Sequence, residues 1–340
     1  MATELTQRSP VMADVARVAG VSHQTVSRVL NDHPNVRATT RERVLAAIEQ
    51  LGYRRNLSAR ALVTRRTNTL GVVASGTTLY GPASTLFGIE QAARAAGYFV
   101  SIVSLERITR ESVDEAFTYL LEQAVDGMIV IAPQRSTAAA VAALPVEVPI
   151  VAVQGGEAGA RPVVAVDQVD GAAQATQHLL DLGHHTVQHI AGPVDWLEAD
   201  GRLHGWRATL ERAGAPVPEV IRGDWSPRSG YEAARRFAAD PPSAIFVAND
   251  QMALGVLRAL HEAGQRVPED VSVVGFDDMP EAEFFTPPLT TVRQDFTAVG
   301  RASIDLLLGL IDHGAAAAEA PARHTVAPNL IVRHSTTRRT

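Results

Sequence analysis

The stretch "VSHQTVSRVLN", Val21 to Asn31, decides how the rest of the chain is read. On a helical wheel Val26, Val29 and Leu30 fall on one side, while His23, Gln24, Ser27 and Arg28 fall opposite. A solvated helix face normally mixes carboxylates with its cations, and this one carries none. Ser22 is a good N-cap, because its hydroxyl can accept from a free N–H of the first turn. Upstream, "VMADVARVAG" sets Val11, Val15 and Val18 on one face and stops at Gly20, a residue suited to a left-handed helix end. Downstream, "TTRERVLAAIEQLGY" has Thr39 and Glu42 at capping-box spacing, then an apolar stripe of Val44, Leu45, Ile48 and Leu51. Short helices joined by a tight glycine turn predict a helix-turn-helix module. The first turn of its second helix is what enters a major groove, where Gln suits adenine and Arg suits guanine.

The charge distribution agrees. The whole chain of 340 residues carries a formal net charge of −6, which by itself points away from nucleic acid. Residues 1–66, however, hold eleven arginines against five acidic residues, a balance of +6, leaving −12 on the remainder. That asymmetry is the footprint of a small anion-binding module joined to an unrelated body. All 31 basic residues are Arg, which reads as compositional bias. Cysteine is absent, so disulfides and thiolate metal sites are excluded, in keeping with a cytoplasmic protein. The longest apolar runs, such as "VDGMIVIAP", are too short to span a bilayer as a helix, and "MATELTQRSPVM" has no export-type apolar segment.

From Thr69 onward the pattern changes to α/β. Short apolar runs ("LGVVAS", "FVSIVS", "GMIVIA", "PIVAV", "VVAVD", "VQHIAG", "AIFVAND", "SVVGFDD") alternate with helical stretches such as "TLFGIEQAARAAG" and "GAAQATQHLLDLG". Strands without polar alternation, separated by helices, predict parallel sheets covered on both faces. So many units exceed one sheet, so two are expected, dividing near Asp167, with a ligand cleft between their strand ends. Asn249 and Asp250 in "VANDQMALG", and Asp277 and Asp278 in "GFDD", end two of those strands and suit a polyhydroxylated ligand.

"MADVARVAGVSHQTVSRVLND", with "TRERVLAAIEQLGY" and "SARAL" behind it, resembles the lactose-repressor family of transcriptional regulators. The resemblance runs on through "GDWS", "VANDQMALG", "VSVVGFDD" and "PPLTTVRQDF", covering nearly the whole chain. It implies an all-α helix-turn-helix domain over 1–54, a hinge helix and linker over 55–66, and a periplasmic-binding-protein-like sensor over 67–340. The sensor would comprise an N-subdomain of about 67–166 and 296–323 and a C-subdomain of about 167–295 and 324–340. It further implies a homodimer on a pseudo-palindromic double-stranded operator, nucleoid-associated when bound, released by a small sugar and needing no cofactor, metal or membrane.

By that resemblance His23, Gln24 and Arg28 read bases, while Ser22, Thr25, Ser27 and Asn31 hold phosphates or cap the helix. His23 stands where the family's founding member has Tyr. The hinge would contribute Asn56, Ala59 and Leu62, the last as a minor-groove wedge, although Arg55 replaces a common proline there. In the sensor Asp277, Asn249 and Arg202 would bind sugar hydroxyls, and Trp225 and Phe296 would supply apolar faces. Ser75, Leu79 and Gln154 would line the opposite wall. Ile131 and Gln154 depart from the polar pattern of the founding member, which bears on ligand choice. A galactoside-like inducer is the leading expectation. A corepressor-type regulator answering another sugar or metabolite is the alternative within the family, and a sugar-binding transport component the distant one.

Competing chemistries find little support. His184, His185 and His189 in "GHHTVQHIAG" precede or enter a strand, without helical metal-ligand spacing. "GDWS" is no nucleophile elbow, and neither a P-loop nor GxGxxG occurs. A glycosidase would require two opposed carboxyls. No catalytic residue is therefore expected. "IVRHSTTRRT" follows the last expected strand without leucine heptads, which predicts a dimer rather than a tetramer.

Overall fold

Val15, Val26 and Val44 have no exposed surface, and three helices close around them: α1 (Met12–Ala19), α2 (His23–Leu30) and α3 (Ala38–Leu51). The computed structural model describes residues 10–53, 66–106, 109–137, 148–153, 161–237, 240–313 and 323–339. The chain divides into two units, 1–67 and 68–340. In the first, Gly20 takes the left-handed conformation (φ 61°) that ends α1. The N–H groups of Gly20 and Val21 then donate to the carbonyls of Arg17 and Ala16, capping the helix.

Three local expectations need correction. α1 buries Val15, Ala16 and Ala19, whereas Val11 and Val18 are exposed. Val11 precedes the first turn, and the small alanines beside Val15 make the close face. In α3 the buried stripe runs through Val44 and Ala47 to Ile48 and Leu51, so Leu45, one position off it, is 52% exposed. The capping box at Thr39 does not form. α3 begins at Ala38 with Arg37 as its N-cap, without a side-chain cap bond. Val36, packed on the core, sets this earlier entry. Arg41 then ties the preceding turn to the helix through Asp32 (2.5 Å) and the His33 carbonyl (3.2 Å).

The described residues of the second unit form two six-stranded sheets. The first contains β1 (Thr69–Ser75), β2 (Phe99–Leu105), β3 (Gly127–Ile131), β4 (Ile150–Val153), β5 (Val163–Val166) and β11 (Arg323–Val326). The second contains β6 (Gln188–Ala191), β7 (Ile221–Arg222), β8 (Ala244–Val247), β9 (Ser272–Asp277), β10 (Thr290–Arg293) and β12 (Asn329–Ile331). Their orders are β11-β5-β4-β3-β1-β2 and β12-β10-β9-β8-β6-β7, so the same doubly wound order occurs twice. All pairings are parallel except β10 with β12. β3, β4, β5, β8 and β9 are buried along their whole length, which is why their sequences lack alternation.

The chain passes between the lobes after Val166, between Arg293 and Phe296, and after Val326. The last passage lies beyond the expected 324, because all four residues of β11 pair with β5 in the first sheet. The helix Phe296–His313 packs on Tyr80–Ala95 through Gly88 and Gly300. A Cβ on Gly300 would sit 2.2 Å from the Gly88 carbonyl carbon, so only glycine permits this approach. No helix among the described residues is long and apolar enough to cross a membrane.

Candidate DNA-reading helix and ligand cleft

Ser22 caps α2: its Oγ accepts from the Thr25 N–H (3.1 Å) and shares a hydrogen bond with Thr25 Oγ1 (2.9 Å). That bond fixes the first turn, and it leaves His23 and Gln24 exposed beside Arg28. Thr25 and Ser27 are half-buried on the flank. The Asn31 amide donates to Ser27 Oγ at 3.5 Å, closing the other end. The sequence-based set on α2 therefore shares one outward face, with Val26 and Val29 anchoring the opposite one. Asn56, Ala59 and Leu62 lie outside the described residues.

In the second unit, a cleft with about 710 Å³ of empty space, its open mouth included, lies where strand carboxyl ends of the two sheets face one another. The order of each sheet reverses at one place, between β1 and β3 and between β6 and β8, and such switch points leave a crevice. Leu79 follows β1, Ile131 ends β3, and Pro133 follows it. Facing them, Trp196, Glu198 and Arg202 follow β6, Trp225 follows β7, and Asn249 follows β8. Asp277 ends β9, and Phe296 opens the helix after the second lobe crossing.

Arg202 is the electrostatic centre, only 4% exposed. Its Nε donates to Gln168 Oε1 (2.8 Å), Nη1 donates to the Ala248 carbonyl, and Nη2 lies 3.5 Å from Asp277 Oδ1. Its guanidinium carbon sits 3.9 Å from the Phe276 ring centroid and 5.5 Å from that of Trp225. Asp277 also accepts from Gln294 Nε2 (2.7 Å), and Gln294 Oε1 accepts from Gln168 Nε2 (2.8 Å). Burial pushes the Asp277 carboxyl up to about 6, even though Arg202 and the Gln294 bond pull it down. An incoming hydroxyl donor would favour its charged form. Asp277 and Trp225 both adopt positive φ, 111° and 75°. Side chains other than glycine rarely occupy that region, and such strain clusters where ligands are gripped.

Asn249 is the N-cap of Asp250–Glu262; its Oδ1 accepts from the Met252 N–H (2.9 Å) and its amide donates to the Trp225 carbonyl (3.2 Å). Asp250 is turned away, accepting from Thr291 Oγ1 (2.6 Å) and the Met279 N–H (2.9 Å). Burial, and after it Asp277, raises its carboxyl well above the ordinary range. Asp278 also stays out of the cleft, where it holds Arg293 and Arg333 at 2.5 and 2.6 Å.

Of the expected sensor residues, Leu79, Arg202, Trp225, Asn249, Asp277 and Phe296 share the cleft. Ser75 is buried beside it and donates instead to Gln134 Oε1 (3.1 Å). Gln154 lies outside the described residues. Sequence reasoning missed Tyr80, Gln168, Trp196, Glu198, Gln251 and Gln294, which also line the cleft. Of these, Gln251 and Gln294 carried a signal, since they belong to the quoted runs "VANDQMALG" and "PPLTTVRQDF". The histidines of "GHHTVQHIAG" do not converge. His184 bonds Ser243 and Ser272, His185 is exposed, and His189 bonds the Phe246 carbonyl. Burial depresses His189 to about 3, so it is neutral.

A helix-turn-helix unit followed by a two-lobed binding domain is the make-up of a ligand-responsive DNA-binding regulator. Residues 11–56 match the family described as bacterial regulatory proteins, lacI family, and residues 176–336 match the periplasmic binding protein-like domain. The chain is 38% identical to the lactose operon repressor of Escherichia coli (strain K12) over 300 residues, 87% of this chain and 83% of that one. It is 33% identical to the ribose operon repressor of the same strain over 306 residues, 87% and 92% of the two chains. A lac repressor dimer solved with operator and the anti-inducer ONPF aligns with a TM-score of 0.86 at 35% identity, over 97% of this chain and 100% of that one. A complex of the transcriptional regulator CelR with cellobiose aligns with a TM-score of 0.71 at 34% identity, over 96% and 99%. The chain belongs to the LacI family of bacterial regulatory proteins.

Proposed function

We propose that this protein is a homodimeric transcriptional repressor whose operator affinity is set by a galactoside-type sugar held in the cleft. The observation that carries the reading is the set Asp277, Arg202 and Asn249 on one lobe, facing Leu79 and Phe296 on the other. A ligand that touches both lobes binds one relative arrangement of them more tightly, and so shifts the population toward it. Carboxylate, guanidinium and amide groups suit vicinal hydroxyls, and aromatic rings suit the C–H face of a pyranose. Solved relatives bound to ONPF and to cellobiose support a sugar, although the ribose repressor shows that the family's sugars differ.

In this reading His23, Gln24 and Arg28 contact base edges, and Ser22, Thr25, Ser27 and Asn31 orient the helix against phosphates. The segment holding Asn56, Ala59 and Leu62 serves as the hinge, entering the minor groove between half-sites. Sugar binding releases the operator. A thermal-shift series with galactosides, glucosides and pentoses tests the sugar assignment. A ligand at ~100 times its dissociation constant stabilises the fold by ~2.7 kcal/mol. No shift with any sugar in the series would reject the reading.

A further inference from the structure

The first two turns of the helix Leu197–Arg212 carry another set of groups into the cleft beside the Asp277–Arg202 pair. Trp196, the N-cap residue, is half-buried and meets Trp225 edge to face, with ring centroids 5.5 Å apart at 73°. Glu198 lines the same wall, one helical turn before Arg202. Trp225, 6% exposed, adds an indole N–H that has no hydrogen-bond partner among the described residues. Buried donors are rarely left unmade, so this one calls for a partner.

The spacing matters. From Trp196 to Arg202 the helical rise covers about 9 Å, longer than one pyranose ring and matched to two joined rings. Exposure follows the same line, from Arg202 at the closed end to half-buried Glu198 and Trp196. Trp196 is also held in place by both lobes. Its backbone pairs with Gln134, the following Leu197 N–H donates to the Pro133 carbonyl (2.8 Å), and the Arg135 N–H donates to the Asp195 carbonyl (3.0 Å). Gly76 of the first lobe packs under its ring, where a Cβ would stand at 3.4 Å.

We propose that Trp196, Glu198 and the indole N–H of Trp225 form a second sugar subsite, so that the effector is a disaccharide and Trp196 sets the preference for two rings over one. The inference rests on the reading that a sugar fills the cleft. The first ring takes Asp277, Arg202 and Asn249. The second lays a C–H face against Trp196, donates a hydroxyl to the Glu198 carboxylate and accepts from the Trp225 N–H.

Isothermal titration of the full chain with lactose, cellobiose and maltose, each against the methyl glycoside of its non-reducing ring, tests this. The wild type should bind one disaccharide at least tenfold tighter than the matching methyl glycoside. Trp196→Ala should bring that ratio near one, and Trp196→Phe should keep most of it. Glu198→Gln should fall between them. A merely structural role for Trp196 would weaken both ligands equally and leave the ratio unaltered, which would overturn the subsite. A wild-type ratio near one, with single-ring glycosides binding well, would overturn the subsite and leave the sugar reading standing. Failure of every sugar to bind would overturn both.

Discussion

Asp277→Asn isolates the electrostatic cost of the cleft. The carboxyl is raised from 3.8 to about 6 because burial disfavours its charge more than Arg202 and Gln294 favour it. Below pH 3.8 the group is protonated in both folded and unfolded chains, and no ionisation penalty acts. Between 3.8 and about 6 the unfolded chain gives up the proton while the folded chain retains it, so stability falls as pH rises. Above 6 the penalty is complete, ~3 kcal/mol on the scale of 1.36 kcal/mol per pH unit. Asn removes it but also removes Arg202's partner at 3.5 Å. Because Arg202 keeps Gln168 and the Ala248 carbonyl, the net gain should be ~1–3 kcal/mol at pH 7, and roughly half that at pH 5.

Urea unfolding of the ligand-free wild type and variant at the two pH values measures this difference. Asp250, the other buried acid nearby, contributes a background to both. Sugar affinity should move the opposite way. Losing an ionised hydrogen-bond acceptor costs ~1.5–3 kcal/mol, roughly tenfold to a hundredfold in binding. Wild-type affinity should also drop on acidification below pH 6, as the carboxylate takes up its proton. A variant less stable than wild type at pH 7, or one with the wild-type pH dependence, would refute the reasoning.

Two predictions concern the reading module. Gly20→Ala meets no atom within 4 Å but forces a side chain into φ 61°, so its cost is conformational, ~1 kcal/mol. Amide exchange across α1 and α2 in the full chain should quicken about fivefold, and an unchanged rate would contradict the turn assignment. Arg28→Ala should lose ~1–3 kcal/mol of operator affinity and relax base preference at one position of each half-site. Equal loss on every sequence would place Arg28 on a phosphate instead.

Legibility in the sequence follows physical pattern. Buried parallel strands announce themselves as unbroken apolar runs, and seven of the eight such runs are buried along all or nearly all of their length. The eighth, β2, is a half-exposed edge strand in spite of its apolar sequence. β10 reads "TTVR" and looks polar, yet Thr290 and Thr291 are buried because Ser335 and Asp250 satisfy them across the fold. β7 is two residues long, too brief for any periodicity. The capping box failed because the packing of Val36, not local propensity, places the start of α3.

The cleft divides in the same way. Asp277 and Asn249 end strands and could be assigned from topology alone. Gln168 and Gln294 are bonded at 2.8 Å yet lie 126 residues apart, a pairing no local pattern encodes. Trp196 and Glu198 stand at the start of the helix Leu197–Arg212, outside every motif of the sequence, and only the packing of that helix onto the strand ends reveals them as cleft residues.

The most direct measurement is fluorescence anisotropy of a labelled operator titrated with the full chain, with and without saturating galactoside. Release by the sugar predicts at least a hundredfold weaker operator binding when it is present, a differential of ~2.7 kcal/mol between the two states. Unchanged or tighter operator binding in the presence of a sugar that demonstrably occupies the cleft would contradict the account.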